Sequence, residues 1–348
     1  VLDLMYSRKF TIKNGAIIGN GTNTPSHAIL MGRIDNNGVQ LAYFEDLHCY
    51  NAFSIATFHN FAGEVQTHIR CTYENELAKP AVLLDPIQES AITSDYQTIT
   101  ANVGELRSHN ENLFLSCDAR SYGGGPAVRI TGTTRRVHWL NSYIVSYGGP
   151  GLSIKGNQEQ LTWDVHVEPG SQGERPSGES DSTLLVQFET SEGTQTHKGL
   201  YIRDQLPDAA VAVIDTDSAS NSVTIENALI QLAGTREPSA PIFGSTGTIN
   251  YHGRVEVGEG TGGDADLLVD FSNLNSFRGE VFTSRPASAV SMPSSNYRVM
   301  VHSDSDDAVF LFTSGTYAQV FEGGGWRIDG GTAGDVTAAA TQMQIGNG

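Results

Sequence analysis

Two aspartates have the spacing expected of an acid and a base on a repetitive fold. Asp118 and Asp164 lie 46 residues apart, which is two steps of 23. Cleavage of a glycosidic bond needs two carboxyl groups separated by about 5 to 9 Å, and neighbouring strands of stacked coils lie about 4.8 Å apart. The spacing therefore predicts that Asp118 and Asp164 face one groove as a catalytic pair.

Several side chains near these aspartates could hold a sugar. Arg120 could bind a sugar carboxylate or hydroxyl, and aromatic rings could stack on the apolar faces of sugar rings. The aromatic candidates for substrate binding are Trp139, Tyr143 and Trp163. In the alternative interpretation Asp118 is an ordinary turn or surface residue, and the aromatic residues belong to the core or to subunit contacts.

A second group of carboxylates precedes this region. It contains Glu64, Glu74 and Glu76, and Glu64 is a further catalytic candidate. The alternative is that Glu64 caps a strand or binds a backbone group at a corner.

A lyase would need a base and a cation that neutralises a uronate carboxylate. Arg135, Arg136 and His138 precede Trp139 directly, which would suit an anionic glycan, with Arg136 as a substrate-binding residue. A basic pair beside an aromatic residue is also common on any surface. The acidic run at 303–307 lacks the glycine turn and terminal Glu of a calcium loop, so neither a metal nor a cofactor is expected.

The spacing of the cysteines indicates the fold that would position these residues. Cys71 follows Cys49 by 22 residues, Cys117 follows Cys71 by 46, and Ser142 follows Cys117 by 25. Repeats of this length are typical of solenoids, whose coils bury their apolar faces against neighbours above and below. We therefore predict that these four residues form one internal column with reduced thiols.

An apolar residue stands two positions before each member of this column. These residues are Leu47, Ile69, Leu115 and Leu140. Alternation along a strand would send both members of each pair to the same face. If Leu140 faces inward with the column, Trp139 must face solvent, and by the same parity Asp118 faces outward.

Two successive segments are near copies of each other. The segment SYGGGPAVRI at Ser121–Ile130 recurs as SYGGPGLSI at Ser146–Ile154. The second copy has lost one residue in the turn, where a solenoid tolerates length variation. The chain is thus predicted to be all-β and to form a right-handed parallel β-helix.

The regularity divides the chain into three parts. Residues 1–170 are predicted to form β-helix coils, and residues 171–183 a polar loop or linker. Residues 184–348 contain strands with irregular spacing, which either continue the β-helix or form a separate β-rich trimerisation or binding domain. Such strands suit a homotrimer whose chains complete each other's core.

Composition and charge exclude some partners. No apolar run approaches the roughly 18 residues of a membrane span, so no membrane insertion is expected. The formal net charge is −18, divided into −5 for residues 1–174 and −13 for residues 175–348. This charge repels phosphate backbones and makes nucleic acid an improbable partner.

Two motifs near the start of the chain resemble bacteriophage tail proteins of the pectate-lyase-like superfamily. The first motif is carried by Leu2, Asp3, Leu4, Ser7, Phe10, Ile12, Asn14, Gly19, Thr24, Pro25, Ala28, Ile29 and Arg33. The second is carried by Asn60, Ala62, Glu64, Cys71 and Asn75, with departures from the family pattern at Gly63, Gln66 and Arg70.

This resemblance implies an extracellular tailspike or tail fibre of the virion. Proteins of this kind are usually homotrimers that bind host cell-surface polysaccharide, and many of them cleave it. Two other classes stay open, namely a free β-helix lyase, hydrolase or epimerase acting on polysaccharide, and a purely structural virion or surface protein.

Overall fold

The computed structural model describes most of the chain in segments. These are residues 2–3, 9–20, 27–31, 41–60, 64–84, 109–131, 134–154, 158–159, 161–169, 185–189, 194–204, 213–216, 219–232, 242–244, 246–257, 268–271, 273–283, 289–291, 297–303 and 319–322. The predicted loop at 171–183 and the acidic residues at 304–307 lie outside them. Within these segments no helix is long and apolar enough to cross a membrane.

The described residues form 25 strands, and every pairing between strands is parallel. A short-strand sheet contains β1 (Leu2–Asp3), β3 (His27–Met31), β5 (Ala56–Asn60), β8 (Val82–Leu84), β11 (Val128–Ile130), β13 (Leu152–Ile154), β16 (Val186–Phe188) and β18 (Ile214–Thr216). A two-stranded sheet contains β21 (Leu268–Asp270) and β23 (Ala289–Ser291).

The remaining strands form a second large sheet, here called the long-strand sheet. Its members are β2 (Lys9–Asn20), β4 (Leu41–Ala52), β6 (Glu64–Ile69), β7 (Thr72–Asn75), β9 (His109–Leu115), β10 (Asp118–Ser121), β12 (Thr134–Ser146), β14 (Gln158–Glu159), β15 (Leu161–Pro169), β17 (Thr194–Asp204), β19 (Ser222–Leu232), β20 (Thr248–Val257), β22 (Ser276–Thr283), β24 (Tyr297–Ser303) and β25 (Gln319–Glu322). Because the chain alternates between the two large sheets and every step is parallel, the fold is a parallel β-helix, as predicted.

The two repeated segments stack in the predicted register. Asp118 pairs with Tyr143 and Arg120 with Val145. Further along the same coils, Val128 pairs with Leu152, so the turn after β12 is one residue shorter than the turn after β10. Strands after residue 184 extend the same long-strand sheet, since β17 pairs with β15 and successive partners reach β25.

A column of stacked rings fills the lumen of the β-helix. It consists of Phe44, His68, Phe114, Trp139 and Trp163, each of them fully buried. Successive ring centroids lie 4.7, 4.3, 4.0 and 6.5 Å apart, with the planes within 19° of parallel. The prediction that Trp139 faces solvent is therefore wrong, and neither tryptophan is placed to stack on a sugar.

The reason is a left-handed residue at the corner of four successive coils, where the long-strand sheet bends. Asp46, Arg70, Ser116 and Asn141 have φ angles of 53°, 50°, 52° and 48°. One left-handed residue breaks the alternation of faces. The residue directly before each left-handed residue, such as Leu140, is therefore half-buried on the outside, while the residue directly after it, such as Ser142, points into the lumen.

The predicted cysteine column is confirmed for three of its four members. Asp118 pairs with both Thr72 and Tyr143, which aligns the preceding residues Cys71, Cys117 and Ser142. Ser142 Oγ accepts a hydrogen bond from the Cys117 amide at 3.1 Å. Cys49 instead pairs with Tyr73, two residues further along the coil, and Leu47 takes its predicted place. All three cysteines are buried and free of disulfides.

Buried polar side chains hold the next corner together. Asn75, Ser121 and Ser146 align in successive coils. Asn75 donates to the carbonyls of Phe53 and Pro80, and the two serine hydroxyls donate to turn carbonyls as well. These bonds replace those that the turning backbone cannot make with the sheet. Here Gly123 and Gly149 let adjacent turns come so close that a Cβ at either position would overlap the neighbouring backbone.

Candidate functional site

Three of the predicted site residues lie together on the outer surface. Asp118 and Arg120 alternate outward on β10, and Tyr143 stacks on Asp118 from β12. The side chains of Asp118 and Arg120 are each 34% exposed. The predicted orientation of Asp118 is therefore confirmed, because the left-handed residue Ser116 precedes Cys117 and the alternation is regular after it.

Asp164 does not join them. It pairs with Leu140 on the strand segment before the corner, and a register shift follows between Leu140 and Ser142. Its carboxylate accepts a hydrogen bond from the Asn141 amide at 3.2 Å. The residue that aligns with Asp118 two coils further on is His166. The predicted pairing of Asp118 with Asp164 across one groove is therefore wrong.

Glu64 and Arg136 lie at the other end of the coil. Glu64 begins β6 and pairs with Asn110, which precedes Glu111 on β9. Arg136 is exposed and forms an ion pair with Glu111. A whole strand segment and a corner separate these two positions along the coil from β7 and β10.

The outward side chains after the corner form two columns along the helix, here called the sidewall face. In the first column the register aligns His48, Thr72, Asp118, Tyr143, His166, Tyr201, Leu229, Arg254 and Glu280. Beside it, the second contains Glu74, Arg120 and Val145 and, in later coils, Gln231, Glu256 and Phe282.

One guanidinium organises the first part of this face. Arg120 Nη2 lies 3.1 Å from Asp118 Oδ2, and Nη1 lies 4.0 Å from Glu74 Oε1. The same guanidinium lies over the ring of Tyr143, at 5.9 Å from its centroid. His48 Nε2 approaches Glu74 at 3.6 Å. Two carboxylates and an aromatic ring are thus fixed around one cation.

Aromatic rings continue the first column. The centroids of Tyr143 and His166 lie 5.3 Å apart at a steep angle of 77°. His166 and Tyr201 are stacked, with centroids 4.9 Å apart and 22° between planes. All three side chains are partly exposed. They supply a ladder of rings whose spacing is fixed by the sheet.

A hydrogen-bonded chain extends the face into later coils. The Tyr201 hydroxyl donates to Gln231 Oε1, and Gln231 Nε2 donates to Glu256 at 2.6 Å. Arg254 forms an ion pair with Glu256 at 2.6 Å and lies 3.6 Å from the centroid of the Phe282 ring.

Of the sidewall face, only residues of its first part were predicted from the sequence. His166 was not identified, because the two coils after Asp118 are 25 and 23 residues long rather than 23 each, so His166 and not Asp164 aligns with Asp118. Tyr201, Arg254 and Glu256 lie where the repeat length varies. A search for outward aromatic and charged residues directly after each corner would have found them.

The sidewall face combines polar and aromatic side chains. Ring edges and faces, carboxylate acceptors and guanidinium donors alternate at the spacing of the coils, which matches the mixed apolar and hydroxyl character of sugars. No group of three or more metal-ligating side chains occurs among the described residues.

Comparisons with known proteins found no match to this chain, whether among protein-family models, curated proteins or solved structures.

Proposed function

We propose that this chain is the β-helical part of a bacteriophage tailspike or tail fibre that binds host cell-surface polysaccharide on its sidewall face. The observation that carries the binding proposal is the ladder of Tyr143, His166 and Tyr201, which the register aligns with the Asp118–Arg120 ion pair. The virion assignment rests on the two sequence motifs near the start of the chain.

The sidewall face is suited to sugars because its side chains are held before a ligand arrives. Binding costs free energy for each side chain that becomes immobilised, on the order of 1 kcal/mol. Arg120 is already fixed by Asp118, and Tyr201 is fixed by Gln231. The rings therefore offer their surfaces to a sugar with little further ordering.

Cleavage is a second proposed activity of the same face. Asp118 and Glu74 approach the same guanidinium, so they replace Asp118 and Asp164 as the carboxylate pair for a hydrolase. Asp118→Asn and Glu74→Gln would each abolish fragment release and leave binding measurable. Fragments that absorb as unsaturated uronates would indicate elimination instead.

The binding proposal is tested with a panel of purified bacterial surface polysaccharides. For a polysaccharide that binds, Tyr143→Ala and Tyr201→Ala should each weaken binding by about tenfold, the equivalent of about 1.4 kcal/mol. Tyr43→Ala is the matched control, because Tyr43 faces outward on β4 before the corner and lies outside the sidewall face.

Equal binding by all three variants would place the site elsewhere. Failure of the protein to bind any polysaccharide in the panel would favour a purely structural role.

A further inference from the structure

We infer that the sidewall face selects an uncharged glycan and discriminates against polymers that carry uronate, sialate or phosphate groups. This inference rests on the proposed function, since it names the class of ligand that the same face would take. It is carried by the placement of charges on the face and by the ion pairs of its two arginines.

The face carries more carboxylates than cations. Its described side chains include four carboxylates and two guanidinium groups, namely those of Glu74, Asp118, Glu256, Glu280, Arg120 and Arg254. An anionic polymer lying along this face would meet net repulsion.

Both arginines with described side chains already have carboxylate partners. Arg120 is paired with Asp118 and approaches Glu74. Arg254 is paired with Glu256, and its guanidinium lies on the Phe282 ring. A sugar carboxylate would have to displace one of these partners before it could form a bidentate pair with an arginine.

Displacing either carboxylate is unfavourable because it lies on the same strand as the arginine with which it is paired. Asp118 stands two residues before Arg120, and Glu256 stands two residues after Arg254, so alternation puts each pair on one face. A carboxylate tethered this closely competes at a high effective concentration with any carboxylate from solution. A neutral sugar has no such competition, because its hydroxyls can donate to the paired carboxylates.

The described side chains of the basic segment that suggested an anionic glycan do not form a second site. Arg136 is paired with Glu111, and Trp139 lies inside the lumen. The described residues therefore do not place an accessible indole beside this arginine.

The test compares one polysaccharide in two forms. A neutral polysaccharide that binds the wild-type protein is oxidised at its primary hydroxyls to uronate, and both forms are titrated at low and high salt. We expect the oxidised form to bind about tenfold more weakly at low salt, and the difference to shrink at high salt because salt screens exposed charges.

A double variant makes the test specific to Arg120. Asp118→Asn combined with Glu74→Gln removes both carboxylates from this guanidinium, and the oxidised form should then bind about tenfold more tightly than it binds the wild-type protein. The matched control is Glu111→Gln, which removes the partner of Arg136 outside the face and should leave both affinities unchanged. Thermal unfolding of each variant checks that the fold is retained.

The possible results separate this inference from the proposed function. If the wild-type protein binds the oxidised form as well as or better than the neutral form, the selectivity is overturned while glycan binding stands. An unchanged preference in the double variant also overturns it. If no polysaccharide binds, the proposed function fails, and this inference fails as well because it rests on that function.

Discussion

The indole ring of Trp139 lies parallel to the phenyl ring of Phe114 in the neighbouring coil, with centroids 4.0 Å apart and 9° between planes. Both side chains are completely buried. The pair belongs to the column of rings that fills the lumen, so it links two coils through packing rather than through the sheet alone.

Trp139→Ala should therefore destabilise the fold. Removing a buried tryptophan costs about 3 to 5 kcal/mol through lost burial and the cavity that remains. His138→Ala is the control, because His138 is the outward neighbour on the same strand and should change the unfolding free energy by about 0.5 kcal/mol or less. Urea denaturation measures both, and equal midpoints would contradict the inward position of Trp139.

The close stacking of the turns predicts that glycine is required at position 123. In Gly123→Ala the new Cβ would overlap the backbone of Leu77 in the preceding coil, so we expect a loss of about 1 to 3 kcal/mol. In Gly15→Ala the nearest atom would be Leu47 Cδ2 at 3.5 Å, an ordinary contact. Similar unfolding free energies for the two variants would show that the turns can separate without cost.

Acid should destabilise the protein through buried histidines. His27 Nε2 lies 3.0 Å from His59 Nδ1, and burial lowers the pKa of His27 from 6.5 to about 4. The fold thus favours neutral His27. The contribution of this preference to the free energy of unfolding is fully present above pH 6.5 and is lost as the pH falls towards 4. At 1.36 kcal/mol per pH unit the loss is on the order of 3 kcal/mol.

Burial acts on His197 in the same direction and lowers its pKa to about 3. Unfolding free energies measured between pH 7 and 4 would reveal the combined effect. His27→Asn should flatten the pH dependence, whereas His252→Asn, at a partly exposed position, should not. A pH dependence that is identical in wild type and His27→Asn would exclude the histidine pair as its source.

The three thiols should be protected from reagents in the folded protein. All are buried, and burial raises the pKa of the Cys49 thiol to about 12, which leaves little of the reactive thiolate. A disulfide reagent should react with three thiols after denaturation and with none during the same time in the native state. Thr67→Cys, on the outer face of β6, should add one thiol that reacts at once. Rapid native reaction of the wild-type protein would contradict the internal column.

The homotrimer stays a prediction from the irregular strands beyond residue 184 and from the family resemblance. Light scattering during gel filtration should report three times the mass of one chain. A stable monomer at micromolar concentration would exclude the homotrimer and leave the sidewall face as a site within a single chain.

The sequence alone determined the periodic part of this protein. The recurrence of Ser-Tyr-Gly-Gly at Ser121 and again at Ser146 predicted parallel coils stacked in that register, and both are confirmed. Equal spacing is sufficient to predict the register because residues at equivalent positions of successive coils must stack. The burial of the three cysteines was predictable for the same reason.

Only the tertiary structure decided which side chains face inward before each corner and which coils share a surface. Alternation assumes that every residue is extended, and the left-handed conformation of Asn141 reverses the faces of Trp139 and Leu140. The lengths of the two coils after Asp118, 25 and 23 residues, similarly place His166 rather than Asp164 beside Tyr143. The left-handed residue leaves the apolar pattern unchanged, and the length of each coil is fixed only where neighbouring coils pair. Neither could be read from residue types alone, because both depend on how one coil packs on the next.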